Sequence, residues 1–122
     1  MLYFKSVTQA DILADLLLVE VKRDWTRESA VIGPGDALPL GAVLVKAADS
    51  SLNPPAPGDT QAYAVLGESL PASTEPRKGL VIARGATLDA DLIQWADTLS
   101  EADRVVLSES LETRGILLRA AL

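Results

Sequence analysis

The feature that most constrains this chain is its punctuation. Short aliphatic runs alternate with stretches that regular elements do not tolerate: "VIGPGDALPLGAVLVK" from Val31 to Lys46, "DSSLNPPAPGDT" from Asp49 to Thr60 and "PASTEPRKG" from Pro71 to Gly79. In the first, Pro34 fixes its own φ and Gly33 and Gly35 accept positive φ, so "GPGD" forces a turn. The three prolines and the glycine of the second exclude it from a sheet interior and predict a surface loop. What remains is a set of short strands: "SAVI" at 29–32, a buried strand from Ala42 to Ala47 after a turn at Pro39–Gly41, one around Tyr63–Leu66, a strong one at Leu80–Ala83 before a turn at Gly85, and a terminal one in "GILLRAAL". The order shows no βαβ alternation and no internal repeat. At 122 residues the chain suits one domain with one core.

Two segments read differently. In "QADILADLLL", Ile12, Leu13, Leu16 and Leu17 fall at helical spacing, with Thr8 placed to cap and Asp11 near the positive end. Val19 and Val21 then alternate with Glu20 and Lys22, as in a strand with one polar face. Near the C-terminus, Ser100 and Asp103 approximate a capping box, which predicts a helix from about Ser100 to Arg114 stopped by Gly115. Its apolar face is expected at Leu99, Ala102 and Val106, with Leu107 and Leu111 covered from another side.

The composition removes most chemistry. With no histidine and no cysteine, the chain lacks the commonest general base, the thiolate nucleophile and the usual soft metal ligands. A net charge of −6 disfavours nucleic acid, whose phosphates need a basic face. The N-terminal apolar run is broken by Asp11 and Asp15 and has no cleavage-site pattern, so neither a signal peptide nor a membrane span is expected. The acidic set Asp89, Asp91, Glu101 and Asp103 reads as turn and cap residues rather than a metal site. "GPGD" and "RGAT" lack the lysine and following helix of a phosphate loop, and Lys78 lies in a proline-flanked loop, a poor setting for an activating lysine. No catalytic residue, cofactor or metal is expected.

The two tryptophans divide. Trp95 is expected to bury its ring against the sheet. Trp25, among Lys22, Arg23, Asp24 and Arg27, is either a lid on one end of the core or an interface anchor.

Taken together, "TRE" with "VIGPGDALPLGAVLVK", then "AYAVLGESL", then "GLVIARGATLDADLIQW", and finally a short helix leading into "RGILLR" resemble the lambda-type bacteriophage head decoration proteins. The resemblance runs from about Trp25 to Arg119 and rests on the order and spacing of the blocks. It implies a mainly β fold of the β-clip kind with one or two short helices, trimeric and without catalytic activity. It divides the chain into an N-terminal capsid-binding arm, 1–26, and a decoration domain, 27–122. Trimers would sit at threefold and quasi-threefold points on the outer surface of the expanded head and clamp the major capsid protein. The partners implied are that protein and further copies of this chain, with no nucleic acid and no membrane. Capsid contacts are expected at Val19, Val21, Trp25 and Arg27. A non-viral trimeric β-clip binding module is the alternative, and a nucleotide hydrolase on a similar scaffold would need a basic phosphate site that the sequence does not offer.

Overall fold

The computed structural model describes residues 9–120. Five strands close into a small barrel: β2 (Arg27–Ile32), β3 (Val43–Lys46), β4 (Leu52–Asn53), β5 (Ala64–Leu66) and β6 (Arg77–Ile82), in the order β2-β4-β3-β5-β6. The longest ladder pairs β2 with β6 antiparallel, from Arg27 opposite Ile82 to Ile32 opposite Arg77. A separate three-stranded sheet has the order β1-β7-β8, built from β1 (Leu17–Glu20), β7 (Ala86–Asp89) and β8 (Ile116–Arg119). Among the described residues there are three α-helices: α1 (Gln9–Leu16), α2 (Arg23–Thr26) and α3 (Glu101–Thr113).

Strand alternation sorts the core into two layers, because successive side chains leave a strand on opposite faces. Ile32, Leu44, Leu52, Ala64, Leu66 and Val81 fill the barrel interior. Their neighbours Val43, Val65 and Ile82 face outward and pack with Leu16, Leu88, Leu107, Leu111 and Ile116. β5 is therefore buried on both faces, which explains its run of three apolar residues. Each fully buried Leu or Ile contributes about 1.5–3 kcal/mol through its removal from water.

Several expectations change in three dimensions. The chain does contain one βαβ unit: β7, a 3-10 turn at Ala90–Leu92, α3 and then β8, which runs parallel to β7 from Ala86 opposite Ile116 to Asp89 opposite Arg119. Only Ala86 and Leu88 of β7 are fully buried, so "ATLD" carries too little apolar signal to be read as a strand. β4 was hidden in the proline-rich loop, where Leu52 turns inward to fill the barrel. β6 begins at Arg77 rather than Leu80, and Lys78 is an exposed strand residue opposite Val31. Of the "GPGD" glycines only Gly35 has positive φ, at 152°; at Gly33 a Cβ would meet the Asn53 side-chain amide, which would have to move to admit it.

Helix α3 turns a different face inward from the one expected. Leu107 and Leu111, one turn apart, are wholly buried, while Val105 and Val106 are exposed. The cap is as read: Asp103 N–H donates to Ser100 Oγ (3.1 Å) and Ser100 N–H to Asp103 Oδ2 (3.2 Å). Trp95 is half-buried at the edge of the outer core layer rather than enclosed by it.

At the N-terminal side, Leu13 and Leu16 are buried in that outer layer, and β1 pairs antiparallel with β7 through Leu17–Leu88, Val19–Thr87 and Glu20–Ala86. Thr26 is fully buried. The packing thus draws no boundary at residue 26. The proposed cap at Thr8 and the first eight residues of the arm lie outside the described residues.

Candidate functional site

The sequence singled out Val19, Val21, Trp25 and Arg27, and the local fold treats them unequally. The first three are exposed at 56%, 67% and 48%, high values for large apolar groups. Leu18, which sequence reasoning did not select, is 40% exposed. Leu18 and Val19 lie in β1, and Val21 and Trp25 come just after it beside the bend between β6 and β7, where Val21 N–H donates to Gly85 O (2.9 Å) and the Trp25 ring meets Gly85. The strip borders a shallow groove whose walls include Leu18, Val19, Thr87, Leu117 and Leu118 together with the charged Glu112 of α3 and Arg119. Arg27 is different: its guanidinium makes a two-point ion pair with Glu20, Nε to Oε2 at 2.6 Å and Nη2 to Oε1 at 3.2 Å. That pairing ties β2 to β1, and both side chains are mostly covered.

The short helix carrying Trp25 is a four-residue turn, too short to hold itself. Tertiary contacts hold it. Thr26 Oγ1 donates to Gly85 O (3.1 Å) and accepts from Lys22 N–H (3.4 Å), while Ala83 N–H donates to Thr26 O (2.9 Å). Arg84 Nη1 donates to Trp25 O (2.5 Å), and its Nη2 forms an ion pair with Glu28. The Trp25 indole lies across Gly85, where a built Cβ would collide with Cζ3 and sit 3.0 Å from Cε3; φ at Gly85 is +63°. The Arg84 guanidinium is 5.8 Å from the ring centroid, within cation–π range.

Beside this turn one end of the barrel is closed by a polar cluster. Tyr63 packs on the interior layer and donates its hydroxyl to Glu28 Oε1 (3.2 Å). Lys46 Nζ and Arg114 Cζ lie 4.5 and 4.2 Å from its ring centroid. The Arg84 hydrogen bond, opposed by burial and aided by the Arg84 charge, Tyr63 and Arg114, holds the Glu28 carboxyl below the usual glutamate value.

Among the described residues no three His, Cys, Asp or Glu side chains converge as metal ligands, and no helix is long and apolar enough to cross a membrane. In the acidic set, Asp103 serves the α3 cap and Asp89 Oδ1 accepts from Asp91 N–H (3.0 Å), the turn-stabilising role expected of it.

The family described as bacteriophage lambda head decoration protein D matches residues 6–116. That span covers most of the chain, and the chain belongs to this family of phage structural proteins, which places it on the virion capsid. No curated protein matches the chain significantly. The mainly β architecture, with its small barrel and few short helices, agrees with the resemblance.

Proposed function

We propose that this protein is a capsid-stabilising decoration protein whose homotrimers seat on the outer surface of the expanded head, at threefold and quasi-threefold points, and clamp neighbouring major capsid subunits. The observation that carries the reading is the exposed apolar strip Leu18, Val19, Val21 and Trp25, carried by a member of the head decoration family. Clustered exposed apolar side chains mark a contact surface, and an aromatic anchor at its end is the usual energetic centre of such a contact. The N-terminal capsid-binding arm contributes through this displayed strip. Arg27 supports it by joining β1 to β2 through Glu20.

The test is co-sedimentation with expanded, undecorated shells of the same phage, followed by a heat challenge. The full-length protein is expected to bind and to raise the temperature at which the shells disrupt. Trp25→Ala is expected to weaken binding by about 2 kcal/mol, the scale of an interface hot spot, while Val19→Asp weakens it by placing a charge on the strip. Equal binding by all three proteins would put the interface elsewhere, and failure of the full-length protein to bind would overturn the decoration reading.

A further inference from the structure

We infer that Arg84 is a positioning residue that presents the Trp25 ring to the capsid, a role that rests on the function proposed above. The argument begins with an apparent mismatch. Trp25 is 48% exposed and sits on a helical turn of only four residues, so by itself its indole would sample several rotamers. Yet the turn is caught from both sides. Its far end is held by the buried Thr26 hydroxyl on Gly85 O. Its middle is held by Arg84, whose one guanidinium meets three groups: Nη1 donates to Trp25 O, Nη2 pairs with Glu28, and the plane approaches the indole at 5.8 Å.

Gly85 completes the seat, since only a residue without Cβ leaves the space the ring occupies. One face of the indole is therefore placed before any partner arrives, and the remainder stays open. Rigid presentation of this kind strengthens association by removing the entropy lost when a side chain is ordered on binding. Glu28 is in turn oriented by Tyr63, so the clip is anchored in the barrel rather than on the surface. A lysine at position 84 would keep the charge but lose the planar fork that serves the carbonyl and the carboxylate together.

The experiment uses Arg84→Lys, Arg84→Ala, Trp25→Ala and the double variant Arg84→Lys/Trp25→Ala, with binding to undecorated expanded shells as the first readout. Arg84→Lys is expected to weaken binding roughly threefold to tenfold, the cost of re-ordering one large side chain, and to have no further effect in the Trp25→Ala background. The second readout needs no capsid: in a Trp95→Phe background, acrylamide quenching of Trp25 should rise in both Arg84 variants while their circular dichroism and melting remain cooperative. Trp25→Ala weakening the contact with Arg84→Lys binding normally would overturn the clip and leave the anchor standing. Normal binding by Trp25→Ala would remove the anchor itself, and with it the reason for the clip. Unchanged quenching, or additive losses in the double variant, would also overturn the proposal.

Discussion

At the scale of single residues, the most informative group is Glu28, which has three neighbours of different kinds: the Arg84 guanidinium, the Tyr63 hydroxyl and the more distant charge of Arg114. Its carboxyl is depressed below the ordinary value of 4.5. The folded state therefore holds fewer protons than the unfolded chain in the acid range, and stability falls as pH falls. The contribution is complete above about 4.5 and is lost as the solution passes down through the folded value. Denaturant unfolding of wild type and Glu28→Gln between neutral and acid pH should give a difference that shrinks below that point. A constant difference across the range would mean the carboxylate is not the titrating contributor. Asp103 is depressed too, through the Ser100 backbone and hydroxyl, so comparison with the Gln variant is what isolates Glu28.

The element that best separates pattern from packing is α3. Leu107→Ala removes a side chain with no exposed surface and is expected to cost about 2–5 kcal/mol, with a cavity left between the barrel and the second sheet. Val106→Ala, two-fifths exposed, should stay within about 0.5 kcal/mol in the isolated protein. Ser100→Ala opens the capping box and should cost about 1 kcal/mol. Thermal unfolding of the three variants checks the order. If Val106→Ala is as damaging as Leu107→Ala, the helix is turned the other way. The connections on the far side of the barrel are tied in the same element-to-element manner: Arg77 donates to Gly33 O at 2.7 Å, Asp36 O at 2.9 Å and Pro71 O at 2.8 Å, joining two loops that have little secondary structure of their own.

For the molecule as a whole, the two-layer core leaves large apolar side chains uncovered, among the described residues, along the Leu18–Trp25 strip, at Val31 of β2, at Leu92 and on the Val105–Val106 edge of α3. A trimer clamping a shell has contacts of two kinds to make, with its own copies and with the capsid. Light scattering across micromolar concentrations is expected to give three copies per particle. A monomer that stays monomeric when bound to shells would exclude the trimeric clamp. The net charge of −6 suits a protein that adds to a shell without competing for the nucleic acid inside.

How much of this was legible beforehand follows from the range of the forces involved. Local rules suffice for the Ser100–Asp103 cap, because a cap is satisfied by residues within three or four positions, whereas the backbone at Gly35 and Gly85 bonds instead to Ser73, Val21 and Arg114. The strands at 29–32, 42–47, 63–66 and 80–83 announced themselves by apolar runs that bury on one or both faces. The family could be read from the order of these blocks, and the family comparison agrees. Hidden from the sequence were the elements whose reason is distant. β4 is two residues long and exists because Leu52 completes a barrel whose other staves are far along the chain. β7 is held by its neighbours on either side, and for β1 and β8, whose extended character the sequence did show, it was the pairing with β7 that stayed hidden. The buried side of α3 was undecidable locally, since Val105–Val106 and Leu107–Leu111 are both apolar and only the surface beneath selects between them. In the candidate site, the charged neighbours Lys22, Arg23, Asp24 and Arg27 raised Trp25 as either a lid or an anchor. That Arg27 is engaged by Glu20, and that Arg84 and Gly85 form the seat for the indole, depends on contacts up to fifty-nine positions apart, which no local pattern encodes.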